Sequence, residues 1–336
     1  MTSLIRVELR RILSRKILHL SVLAILAVAL LAFWGLWQSV QPLENYEAQA
    51  RADFEQVHAQ WEQDQEFYDE EAAAQCLEDQ AAERERMGDP TIEFGCEWPE
   101  PTLEDMLGSY APPSMISLYT QNLVDTGMIV YLLALLGGST ATAAEIAHRT
   151  LGTWLTFEPR RGRVFASKVL ASGLVALPVT AVFLALFLGG IPLIYRLRGV
   201  DDAVTAAEWA DLGWMSARIA LLAAFLGMVG AAAGLLLKHT GAVLGIAVGY
   251  LLVVENMVRG LFPQLSTYLL SDNLLAWVRD GHDQRRWECG PVEGGGENCR
   301  EVVTHLTLEH GALVLGVMGV TVVLLSWLTF RRRDVA

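Results

Sequence analysis

The sequence predicts an all-α, polytopic membrane protein with six transmembrane helices. Three observations carry this. The 336 residues are 53% hydrophobic, with a mean hydropathy of +0.34. Six apolar runs meet or approach the roughly 20 residues that a helix needs to cross a bilayer core of about 30 Å. The basic residues gather at four places that six crossings put on one side. A large soluble core would show amphipathic helices instead.

Residues 1–16 form the first element. Leu4, Ile5, Val7, Leu9, Ile12 and Leu13 alternate with Arg6, Arg10, Arg11, Arg15 and Lys16. That pattern is an amphipathic helix lying in the cytoplasmic headgroup layer. Residues 17–38 are the first span and end in Trp34 and Trp37, aromatic residues suited to the outer interface. The run is too long for a signal peptide and has no small-residue cleavage site.

Residues 39–121 form an acidic extracytoplasmic domain. Between 43 and 115 there are 20 acidic residues and three basic ones, a net −17 that leaves +4 for the rest of the chain. A field of one sign steers opposite charges, so this domain is either a solvated cap or a docking surface for a cationic substrate or partner. Ala50, Phe54, Val57, Trp61, Tyr68 and Ala72 recur at helical spacing and predict one long helix. Gly88-Asp89-Pro90 ends it.

The second span is 122–144. It begins near Asp125 and ends in small residues, Gly137 to Thr142, that let helices approach closely in lipid. Residues 145–165 are a charged cytoplasmic helix and loop, turned at Pro159 and Gly162. The third span, 166–195, contains Pro178 and Pro192, which predict a bend. A short external loop, 196–214, leads to the fourth span, 215–237. The fifth span, 240–258, carries Gly241, Gly245 and Gly249, a repeat that predicts a helix-packing face. Its last turn holds Glu255 and Arg259, four apart on one face, polar residues near membrane depth like Asp125.

Residues 259–310 form an external loop. It contains a possible re-entrant helix near 260–279 and a Gly-rich loop at 281–300. The last span is 311–330, and 331–336 is a basic cytoplasmic tail. All four cysteines fall outside by this topology. Pairing within each loop gives Cys76–Cys96 and Cys289–Cys299, although four cysteines allow three connectivities.

Motifs for chemistry are absent. There is no Gly-x-x-x-x-Gly-Lys-Ser/Thr, no His-Glu-x-x-His and no Gly-x-Ser-x-Gly. No catalytic, cofactor-binding or metal-binding residue is assigned, nucleic acid is not an expected partner, and the chain does not read as an enzyme. Arginine outnumbers lysine 22 to 3, as a GC-rich bacterial genome would produce.

Ala144-Glu145, Gly152-Thr153, Leu155, Pro159-Arg160-Arg161, Arg163 and Lys168 together resemble the signature of type-2 ABC transporter permeases, the ABC-2 type. The likeness extends to the plan: basic amphipathic start, six spans, both ends inside, and Phe330-Arg331-Arg332-Arg333-Asp334 at the close. It is greatest to permeases with a large external insert after the first span. The resemblance implies that residues 145–158 dock on a separate ATP-binding subunit, with coupling by Glu145, Arg149, Trp154, Phe157, Glu158, Arg160, Arg161 and Arg163. It implies two such ATPases, which hold the ATP and Mg. It also implies a second permease, identical or different, in a bacterial cytoplasmic membrane. The expected function is export of a lipid-like molecule, peptide or drug. The alternatives are a force transmitter acting on an external partner, and a channel or receptor without an ATPase.

Overall fold

The computed structural model describes residues 2–64, 70–88, 90, 92–96, 99–109, 113–148, 150–291 and 297–332. The chain is mostly helical. Among the described residues, six helices are long and apolar enough to cross a membrane. They are α2 (Lys16–Ser39), α6 (Met115–Ala147), α8 (Arg161–Arg198), α9 (Ala206–Leu237), a composite helix over Thr240–Leu261, and α13 (Leu308–Arg332). Such a set is compatible with a multi-pass membrane protein.

The helices form one bundle with two distinct ends. At one end α1 (Thr2–Leu13) packs on the start of α8, and the Arg161 guanidinium donates to the Arg331 carbonyl at 3.2 Å. At the other end the backbone amide of Met115 donates to Asp202, and the Tyr195 hydroxyl donates to the Pro113 carbonyl. The first is called the termini end here and the second the hairpin end.

Glycine sets the closest crossing, between α6 and α9. A Cβ on Gly138 would overlap the Gly227 carbonyl, and one on Gly230 would overlap the Leu135 carbonyl. Backbones this close exclude any larger side chain. Thr142 then donates across the seam to the Ala231 carbonyl at 2.8 Å, and Ser326 of α13 donates to the Ala232 carbonyl at 2.7 Å. The small-residue run of the second span therefore packs as its composition predicts.

The expected packing face of the fifth span does not form within the chain. A Cβ on Gly245 or Gly249 would meet nothing within 4 Å, and one on Gly241 would meet only the His239 ring. Those glycines line an open face. The fifth span is also not one regular helix. It runs as α10 (Thr240–Gly249), a π-turn over Tyr250–Val254, and α11 (Glu255–Leu261). The wider turn inserts a residue and shifts the phase of the helix after it.

α8 runs unbroken through Pro178 and Pro192. Proline has no N–H, so Pro192 leaves the carbonyl four residues before it, that of Leu188, without its helical donor. The Tyr119 hydroxyl supplies the replacement at 2.9 Å. Tyr119 itself is fully buried, so this bond also ties α6 to α8.

The expected long helix is described in two parts, α3 (Leu43–Asp64) and α4 (Glu70–Met87), and the residues between them lie outside those described. Tyr68, expected on its apolar face, lies outside the described residues. A short helix, α5 (Leu103–Ser109), packs on α3. Cys76 and Cys96 are joined, with sulfur atoms 2.00 Å apart.

The all-α expectation fails after residue 280. A 3-10 turn (Pro263–Tyr268) and α12 (Leu270–Arg279) lead into an antiparallel ribbon, β1 (His282–Pro291) and β2 (Glu297–Leu306). The expected loop at 281–300 is thus most of a hairpin. Cys289 and Cys299 face each other in register and are joined.

Replacing Tyr119 by phenylalanine strands the Leu188 carbonyl in an apolar setting. The expected loss is about 1–3 kcal/mol, read as a lowered unfolding midpoint of the detergent-solubilised protein.

Candidate functional site

The amphipathic helix α1 carries one acid among its arginines, Glu8, and it is the only acid before Glu44. Glu8 and Ile12 are one turn apart, and both are buried against the bundle. α8 presents Lys168 to the same place, and α6 presents Glu145 from its last turn. Lys168 is 2% exposed, Glu145 3% and Glu8 4%.

These three form an ionic cluster. The Lys168 ammonium donates to Glu8 Oε1 at 2.8 Å and to Glu145 Oε2. Arg11 Nη2 lies 3.1 Å from Glu145 Oε1, and Arg15 Nη2 lies 3.7 Å from the same oxygen. Arg15 also donates to the Thr140 carbonyl at 3.0 Å. Three cations thus meet two anions. Taking a lone charge out of water costs several kcal/mol, so each member depends on the others.

The 145–168 segment closes over this cluster. α6 ends at Ala147, and α7 (Thr150–Phe157) follows. The Trp154 ring faces inward, with the Arg11 guanidinium 5.3 Å and the Lys168 ammonium 5.6 Å from its centroid. Both are cation–π distances. Phe157 points the other way and is 82% exposed. Gly162 sits in the first turn of α8, where a Cβ would press on the Trp327 ring at 3.1 Å. The chain therefore turns tightly at Pro159 and sends α8 along α13.

The expected coupling residues divide into two sets. Glu145 and Trp154 turn inward, joining Arg11, Arg15 and Lys168. Glu145 pairs inside the chain, because its position in the last turn of α6 faces Lys168. Phe157, Arg160 and Arg163 are exposed, and Glu158 is half-buried. Arg161 reaches the end of α13. Arg149 lies outside the described residues. Glu8 was not singled out from sequence, although a lone acid on a basic helix was the available signal.

A second polar cluster occupies the hairpin end. Glu255, expected as a polar residue near membrane depth, is 5% exposed, because the π-turn before it rotates it toward α12. Its Oε1 accepts the Ser271 amide at 3.0 Å. Arg259 lies 4.0 Å from Glu255 and 2.8 Å from Asp272, and it donates to the Ser271 hydroxyl at 2.8 Å. Gln284 of β1 donates to the same Asp272 oxygen at 2.8 Å and accepts from Ser266 at 3.1 Å. The cluster fastens the ribbon and α12 to the fifth span. Asp125 stands apart from it, exposed on α6.

No protein-family model, curated protein or solved structure matches the chain.

Changing Lys168 to methionine leaves two buried carboxylates facing each other. A loss of about 3–5 kcal/mol is expected, the range for breaking a buried ion pair. Adding Glu8→Leu should recover part of that loss, whereas independent sites would add their costs. Thermal unfolding of the two variants separates these outcomes.

The second cluster has a pH dependence. Burial holds His282 below its ordinary value of 6.5, against the opposing pull of Asp272 and Asp283 and together with the push of Arg279 and Arg259. A histidine depressed in the folded state stabilises it above about 6.5, and the contribution is lost as pH falls below that value. Protection factors for amide exchange across residues 266–284, corrected for the intrinsic rate at each pH, should therefore fall between pH 7 and 5, and His282→Asn should flatten the response.

Proposed function

We propose that this chain is the membrane permease subunit of an ATP-driven ABC-2 type exporter, coupled to a separate ATP-binding subunit through α7. The observation that carries this reading is the two-sidedness of the α7 segment. Its outer side offers Phe157, Arg160 and Arg163 to a partner. Its inner side rests Trp154 on the ionic cluster that joins α1, α6 and α8. A push on Phe157 reaches two spans and the amphipathic helix together.

On this reading the termini end is cytoplasmic, as the basic residues there favour. The membrane is the bacterial cytoplasmic membrane. Two ATPases hold ATP and Mg, and this chain holds neither. A second permease completes the machine, identical or different. The open glycine face of the fifth span, with Ile246, Leu252 and Val253 exposed beside it, supports a helix partner there.

A second reading has its own support. The cavity among α1, α2, α6 and α8 measures about 40 Å³, room for about one water. Helices packed so closely at this point leave no room for a substrate, which fits a machine that transmits force to an external partner through its acidic domain.

The test is purification of the tagged chain in mild detergent after expression with its neighbouring genes. A Walker-motif ATPase should accompany it. Arg160→Glu with Arg163→Glu, and separately Phe157→Asp, should release that subunit while leaving the unfolding midpoint unchanged. If no ATPase is retained with any nucleotide, the permease reading fails and a channel or receptor takes its place.

A further inference from the structure

An open groove of about 460 Å³ runs between the hairpin-end half of α6 and the C-terminus of α12. Ile116, Ser117, Thr120, Gln121 and Asp125 line one wall, and Arg279 stands on the other. Ser117, Gln121 and Asp125 are spaced four apart and so share one helix face. The ionic cluster at the termini end does not reach this groove, and the Glu255–Asp272 cluster touches it only through the push of Arg279 on His282.

The two charges here are not closed off by a partner side chain. Asp125 and Arg279 are both exposed. Among the described residues neither makes a hydrogen bond or ion pair, and they do not pair with each other across the groove. Gln121 is likewise free. An acid and a base facing one cavity without closing on each other leave room for a ligand with both charges.

The groove also has a definite depth. A bilayer core of about 30 Å takes about 20 helical residues. Counting outward from Ala144 on α6 and Leu237 on α9 puts Asp125 and Arg218 at the far edge of that layer. Arg218 fixes α12 at the same level. It donates to the Val278 carbonyl at 3.2 Å and pairs with Asp280 at 3.0 Å, and the Trp277 ring N–H returns a bond to its carbonyl at 3.0 Å. Arg279 is therefore held at headgroup level, where a basic side chain can meet a lipid head group.

We propose that this groove binds a zwitterionic phosphate–ammonium group. The Arg279 guanidinium donates to the phosphate oxygens, the planar fork matching two of them at once. The Asp125 carboxylate accepts from the ammonium, and the Gln121 amide completes the cradle. The group comes either from a lipid such as phosphatidylethanolamine, whose head lies at this depth, or from a soluble phosphoethanolamine-like molecule. The site stands without the permease reading, and together with it names the class of molecule carried.

The test uses the full chain in nanodiscs, without ATPase or nucleotide, so its outcome is separate from that of the co-purification. Soluble phosphoethanolamine is titrated, and retention of phosphatidylethanolamine against phosphatidylglycerol is measured by native mass spectrometry. Selective binding of either zwitterion is expected. Asp125→Asn and Arg279→Gln should each weaken it about tenfold or more, the scale of one charge-assisted bond. Asp125→Asn should leave binding of inorganic phosphate unchanged. Both residues are exposed and unpaired, so folding is preserved, and an unchanged unfolding midpoint checks this.

Exchanging the charges, Asp125→Arg with Arg279→Asp, separates the two sources. A free zwitterion turns end for end and keeps its affinity. A lipid head is fixed by its acyl chains with the phosphate nearest the glycerol, and is lost. Absence of zwitterion selectivity, or single variants that bind like the native chain, overturns the proposal.

Discussion

An ammonium group held out of water needs carboxylates within reach, and Lys168 meets that need by drawing three separate segments together. Glu8 comes from a surface helix, Glu145 from the end of one long helix, and Lys168 from the start of another. Leu9 and Ile12 of α1 add apolar packing against Ala141, Ala171 and Val175 beside it. The cluster also fixes where α6 must end, since Glu145 can reach Lys168 only from the inward face of the last turn. The chain is then free to turn, lay Trp154 over the cations and reverse at Pro159.

Elsewhere the bundle is held by contacts that need almost no side chain. Lipid tails are as apolar as leucine, so burial alone does not drive helices together. Close backbone approach at Gly138, Gly227 and Gly230 does so, and the hydroxyls of Thr142 and Ser326 bridge the crossings. Tyr119 repairs the hydrogen bond that Pro192 removes. A long helix with two internal prolines stays continuous because its neighbour supplies the missing donor.

The six long helices were legible because hydropathy over some 20 residues is a strong signal. The two disulfides were legible from local spacing. Three features were not. The glycine repeat of the fifth span looks the same in sequence whether or not a neighbour within the chain covers it, and here none does. The burial of Glu255 depends on a π-turn, which shifts the helical phase by one residue and leaves no compositional trace. The ribbon lacks apolar alternation. Its first strand reads His-Asp-Gln-Arg-Arg-Trp, and only Gln284 among these is buried. At the candidate site, the acid of α6 and the lysine of α8 were marked by motif. Their third member, Glu8, was hidden by the arginines around it, because an amphipathic pattern is read from its apolar residues.

The reach of the ionic cluster along the chain bears on biosynthesis. Glu8 is 160 residues from the lysine that neutralises it. At about 5–20 residues per second, a ribosome takes some ten seconds or more to cover that distance. During that interval α2 and α6 are made while the acid of the first helix has only Arg11, one turn on, as a partner. The earliest helix to be translated is therefore among the later ones to be seated, and its docking can report that the third long helix has been inserted correctly.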